Sequence, residues 1–136
     1  MWQGRAKLRA KANYFIGEDR GRWRTNVPLF AAVEATNVQG GVDMVVYGGD
    51  GGFEYDLRVQ PHTDLSELRL AFPGSARMQL TADGDAKIES TNGRELLMKK
   101  PRIYEEWPSA NVTGKVVMGG YEMEDDGTIG FAIGPY

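Results

Sequence analysis

At 136 residues, with 41% hydrophobic and 26% charged content and a net charge of −3, the chain reads as one globular domain over 1–136 with enough surface to bury a core. It has no cysteine, which excludes a disulfide framework, a thiolate nucleophile and a zinc–thiolate site. No apolar run approaches the ~18 residues of a spanning helix, and the first residues are too basic and interrupted for a signal peptide.

In chain order, Arg5, Lys7, Arg9 and Lys11 alternate with Ala6, Leu8, Ala10 and Ala12. That is the pattern of a strand with one basic face, and such charges blunt a sheet edge. Residues 18–23 suit a single helical turn, with the Trp23 ring folding back as a lid on the core. Residues 42–47 are apolar on both faces apart from Asp43, as a central strand requires. After the glycine-rich stretch at 48–52, Phe53, Tyr55, Leu57 and Val59 share one face of a strand, opposite Glu54, Asp56 and Arg58. Asp64-Leu65-Ser66-Glu67 has capping-box spacing and room for one more turn.

Period two continues downstream. Leu68, Leu70 and Phe72 oppose Arg69; Met78 and Leu80 oppose Arg77 and Gln79; Ile129, Phe131 and Ile133 oppose Thr128, Gly130 and Ala132. Asp83-Gly84, Asn92-Gly93 and Asp126-Gly127 supply the positive φ that tight hairpin turns need. Pro101 and Pro108 bracket residues 102–107, a placement suited to an edge or a strand end. No segment supports an amphipathic helix. The expected fold is all-β: an antiparallel β-sandwich of about ten short strands. A jelly roll and a partly open barrel are its variants, with at most one or two single-turn helices.

Few residues point to chemistry. Glu54 and Asp56 project from one face, where paired carboxylates can serve as acid and base. Alternation alone produces the same pattern, and no other polar group is placed beside them by sequence. Asp50, Asp83-Gly84-Asp85 and Asp125-Asp126-Gly127 are oxygen-rich, yet none has the ligand spacing of a calcium loop, and turn formation accounts for them. His62, the single histidine, stands at a turn start beside Thr63-Asp64. No Gly-x-Ser-x-Gly elbow, phosphate loop or dinucleotide fingerprint is present. The chain is therefore expected to be non-enzymatic, with no cofactor and no metal. The basic strand beside Tyr14, Phe15 and Trp23 admits a nucleic-acid reading, but the acidic overall charge and edge protection argue against it. Aromatic platforms from Trp2, Trp23 or Trp107 would suit stacking on sugars, although a buried core or corner position is the commoner fate of a tryptophan; Trp23 and Trp107, with Glu54 and Asp56, are the candidate ligand-facing residues.

Asn13-Tyr14-Phe15-Ile16-Gly17 followed by Trp23-Arg24-Thr25-Asn26-Val27-Pro28 resembles a domain found ahead of the repeats of bacterial seven-bladed β-propeller-repeat (SBBP) proteins. The likeness continues at Asn37-Val38, Gly41-Val42-Asp43, Val46-Tyr47-Gly48 and Phe53-Glu54-Tyr55-Asp56. It returns at Lys100-Pro101, Ile103-Tyr104-Glu105 and Gly130-Phe131-Ala132-Ile133-Gly134. The resemblance implies an extracellular or cell-envelope setting and a structural or adhesive role, and it carries no catalytic residues. Members of that family usually have further strands ahead of the Asn-Tyr-Phe-Ile-Gly segment. It therefore implies an unpaired edge at Arg5, Lys7, Arg9 and Lys11, which a neighbouring strand can complete. The expected partners are another protein chain, a second copy of this one, or, in the carbohydrate-module alternative, a glycan. Nucleic acid and a membrane span are not expected.

Overall fold

The structure is a computed structural model that describes residues 1–49, 52–106 and 113–135. Among these, eleven strands and a single 3-10 turn account for the regular structure, all strand pairings are antiparallel, and the sheets are not closed into a barrel. The chain divides into two compact units, residues 1–64 and 65–136.

The first unit is a four-stranded sheet in sequence order: β1 (Trp2–Tyr14), β2 (Arg24–Gln39), β3 (Val42–Gly49) and β4 (Gly52–Val59). The 3-10 turn Arg20–Arg22 lies between β1 and β2, capped by Asp19, whose carboxylate accepts from the Gly21 N–H at 2.9 Å. Register sorts the side chains. Trp2, Ala35, Met44 and Leu57 stand in one cross-strand row, and Gly4, Val33, Val46 and Tyr55 in another, so one face of the sheet is apolar. The alternate rows, Gln3–Glu34–Val45–Asp56 and Arg5–Ala32–Tyr47–Glu54, form a polar face. β3, the apolar run expected to be central, lies between β2 and β4, and Val42 and Val45 are buried within it.

The sheet is not regular throughout. Register slips between Lys7 and Lys11 on β1, and Ala6, Asn26 and Asn37 adopt left-handed backbone conformations. Asn37 is held there by side-chain bonds. Its N–H donates to Asp43 Oδ1 at 2.7 Å, and its own amide oxygen accepts from the Gly41 N–H at 2.9 Å. The β2–β3 hairpin is closed by that pair of bonds around Gly41, at φ 88°.

The second unit holds a three-stranded sheet, β5 (Ser75–Leu80), β6 (Ala86–Ser90) and β7 (Glu95–Met98), and two hairpins. One pairs β8 (Ile103–Glu106) with β9 (Thr113–Val117); the other pairs β10 (Gly119–Met123) with β11 (Ile129–Ile133). Ala86, Ile88, Tyr121 and Ile129 form its core, with Leu70, Phe72, Met78, Leu80, Met98 and Phe131 packed around them. Ile129 is wholly buried, a gain of roughly 1.5–3 kcal/mol for such a side chain. Gly84, Gly93 and Gly127 sit at φ 85°, 78° and 79°, the conformation expected of their Asp-Gly and Asn-Gly turns.

The alternating stretch Leu68–Phe72 does not form a strand. It holds a single bridge, in which Leu70 and Ile129 exchange backbone bonds of 2.8 and 3.0 Å. Pro73 and the left-handed Gly74 follow at once and turn the chain away. The capping-box segment forms one hydrogen-bonded turn, from the Leu68 N–H to the Leu65 carbonyl at 3.0 Å, and no helix. Among the described residues no helix is long and apolar enough to cross a membrane.

Candidate functional site: the end strand of the four-stranded sheet

β1 is the end strand of its sheet, and among the described residues it pairs with β2 alone. Every residue from Trp2 to Lys11 is exposed. Arg5, Lys7, Arg9 and Lys11 all lie on this exposed end strand. Arg5 differs from the other three. Its guanidinium Nε and Nη2 both reach Oε2 of Glu34 on β2. Arg58 Nη1, from β4, stands 3.9 Å from the other Glu34 oxygen. Lys7, Arg9 and Lys11 make no ion pair among the described residues.

Glu34 was not legible as a special residue from its sequence context. It is a lone acid in the apolar run Phe30-Ala31-Ala32-Val33-Glu34-Ala35, and that isolation was the available signal. Its side chain is 6% exposed, whereas Arg5 remains 60% exposed and Arg58 61%. A buried carboxylate is retained here by cations reaching inward from both end strands of the sheet.

The other candidate residues are placed as follows. Glu54 and Asp56 are both exposed on β4. The Tyr47 hydroxyl donates to Asp56 Oδ1 at 3.2 Å. Burial, then the charge of Asp56 and its hydrogen bond, push the Tyr47 phenol above its ordinary value, with Glu54 adding to the effect. The two acids are therefore bound up with a tyrosine on an open sheet face.

Trp23 is half-buried at the exit of the 3-10 turn. Its ring folds back, but onto its own loop: Phe15 meets it edge-on at 5.1 Å between centroids, and the Arg20 guanidinium lies 5.4 Å over the ring. Its indole N–H donates to the Gly17 carbonyl at 3.1 Å. The neighbours Tyr14, Phe15 and Ile16 are exposed, as is Trp2 at the other end of β1. Trp107 lies outside the described residues, as does Asp50.

The remaining acidic loops are engaged internally. Asp85 is buried and accepts from Lys99 Nζ at 2.7 Å and from the Lys100 N–H at 2.9 Å. These two bonds, the lysine side chain first, hold its carboxyl below the ordinary carboxylate value. Asp126 accepts from the Thr128 hydroxyl at 2.6 Å and its N–H at 2.9 Å, which lower its pKa in the same way. Among the described residues no group of three or more His, Cys, Asp and Glu side chains stands close enough to hold a metal ion. His62 is exposed in a turn at φ 62°, closed by the Thr63 N–H donating to the Gln60 carbonyl.

Fold and edge together define an all-β antiparallel protein whose most distinctive surface is a basic end strand. The chain belongs to the family described as Domain of unknown function (DUF7948), whose model matches residues 1–136. No curated protein and no solved structure matches the chain.

Proposed function

We propose that the chain is a non-enzymatic structural and interaction module of a bacterial secreted or cell-surface protein, and that it docks a partner or assembles through the β1 edge. The observation that carries this reading is that β1 pairs on one side alone among the described residues, with Trp2 through Lys11 exposed. An unpaired edge presents a row of N–H and C=O groups to any incoming strand. The likeness of the Asn13–Gly17 and Trp23–Pro28 segments to the domain ahead of SBBP repeats supports the surface setting. Exposure of Glu54 and Asp56 on an open face supports a role without catalysis.

Amide hydrogen exchange on the free, dilute chain tests the edge. Alternate β1 amides should exchange rapidly while those of β3 stay protected. Uniform protection along β1 equal to that of β3 means a covered edge and removes the reading. Light scattering across a concentration series then separates the two modes of use. Growth in mass indicates self-assembly, and a strict monomer excludes self-assembly and leaves a different chain as the partner.

A second reading, a carbohydrate-binding module, draws on the exposed rings of Trp2, Tyr14 and Phe15. It expects hits on a glycan array that are lost on Trp2→Ala or Phe15→Ala.

A further inference from the structure

The row of free cations along β1 says more about the partner than that it is a strand. We infer that the β1 edge is selective for an acidic extended segment of a different polypeptide, which adds as a further strand beside β1. This rests on the docking reading above and narrows it to a partner chemistry.

Three observations converge. The first is charge. Arg5 is committed to Glu34, but Lys7, Arg9 and Lys11 have no acidic partner among the described residues, and all are exposed. Opposite charges directly across a strand pair stabilise it, and like charges destabilise it. A second copy offering its own β1 would set Lys and Arg against Lys and Arg, so the edge rejects itself. A segment carrying Glu or Asp at alternate positions meets a matching row instead.

The second observation is backbone irregularity. β1 slips register between Lys7 and Lys11, and Ala6 lies at φ 49°. Bulges and edge lysines are devices that discourage indiscriminate strand addition. An edge guarded in this way admits only a strand that brings compensating interactions, and carboxylates supply them. The third is an apolar shelf at the far end of β1. Tyr14, Phe15 and Ile16 are exposed there, with Phe15 steadied by its edge contact with Trp23. A partner strand with apolar residues at one end gains a packing contact on this shelf in addition to the charge match.

The test uses the full chain and two probes about as long as β1, an alternating glutamate–threonine peptide and an alternating lysine–threonine peptide, with heparin as a polyanion that cannot form a strand. Fluorescence anisotropy reads binding, and amide exchange along β1 reads strand addition. The acidic peptide should bind and slow exchange of the fast β1 amides; the basic peptide should do neither. The double change Lys7→Glu with Arg9→Glu should weaken the acidic peptide about tenfold or more, because two attractions become repulsions. Ala10→Pro leaves every cation in place and removes one N–H at a position without a register partner on β2. It should weaken the acidic peptide and leave heparin binding unchanged. Thermal melts of both variants establish that they fold.

The alternatives give different results. Equal slowing of exchange by both peptides keeps the docking reading and overturns the acidic partner. Acidic-peptide and heparin binding with no change in β1 exchange, unaffected by Ala10→Pro, makes β1 a polyanion surface and overturns the strand. Concentration-dependent growth in mass that competes with the acidic peptide identifies a second copy as occupant and overturns the different-chain assignment. No binding by any probe overturns the inference, and the exchange pattern of the free chain still decides the broader reading.

Discussion

Glu34 is buried in β2 with one carboxylate oxygen clamped by the Arg5 guanidinium from β1, while Arg58 of β4 stands 3.9 Å from the other oxygen. A single acid thus connects both end strands of the sheet to its interior. A carboxylate with so little exposure survives because cations replace the water it has lost.

Unequal distances predict unequal costs. Arg5→Met leaves the buried Glu34 with one remote cation and should cost about 1–2 kcal/mol, less than a fully buried pair because Arg5 is largely in solvent. Arg58→Met should cost below about 0.5 kcal/mol, since its contact is long and exposed. Replacing Arg5 and Glu34 together by Met should recover part of the Arg5→Met loss, because no charge is then left buried. Urea denaturation of the four proteins measures these differences. Equal small effects for Arg5→Met and Arg58→Met would mean that Glu34 does not depend on its closer partner.

The Asp85–Lys99 pair in the second unit gives a pH signature. Asp85 has its carboxyl held low by the Lys99 side chain and then by the Lys100 N–H, so its contribution is present above the ordinary carboxylate value and lost as pH falls through the depressed one. Lys99 is raised by Asp85, so its contribution is present below the ordinary lysine value and lost as pH rises through the elevated one. The stability difference between the native chain and Asp85→Asn should therefore form a plateau across neutral pH and shrink at both extremes. Thermal melts from acid to strongly alkaline buffer test this. A difference that does not change with pH would assign Asp85 a purely packing role in its turn.

Much of this fold is readable from side-chain alternation and turn chemistry. The Asp-Gly and Asn-Gly pairs at 83–84, 92–93 and 126–127 mark turns because glycine alone enters the left-handed region without strain, and all three glycines are found there. The basic alternation at Arg5 to Lys11 is local in another way, since charged side chains keep to water, and the strand that carries them is exposed. What sequence does not carry is register. Nothing near Glu34 indicates that Arg5 and Arg58, far away in the chain, arrive beside it; only the pairing of β1 with β2, of β2 with β3 and of β3 with β4 brings them in. Backbone irregularities are equally hidden, since Ala6, Asn26, Asn37 and His62 take left-handed conformations that surrounding pairings and turns impose. Leu68, Leu70 and Phe72 show the opposite failure: faultless alternation, but one bridge where a strand was expected.

Gly114 and Gly120 provide a matched pair of substitutions. Gly114 lies on β9, where an added methyl would overlap the Glu105 carbonyl of β8. Backbone cannot swing aside as a flexible side chain can, so Gly114→Ala must part the β8–β9 hairpin locally, at a cost of about 1–3 kcal/mol. A two-stranded sheet has little to resist this with. Hydrogen exchange at Tyr104 and Val116, paired across that hairpin, should accelerate, while Ala86 and Ile88 in the core of the same unit remain protected. Gly120, on β10, has open space where the methyl would go and no left-handed backbone. Gly120→Ala should therefore be neutral or stabilise by about 0.5 kcal/mol, because alanine has less freedom to lose on folding. If both variants melt alike, the close approach of β9 to the Glu105 carbonyl does not govern this hairpin. If Gly114→Ala also exposes Ala86 and Ile88 to exchange, β8–β9 and the core of the unit unfold as one cooperative block.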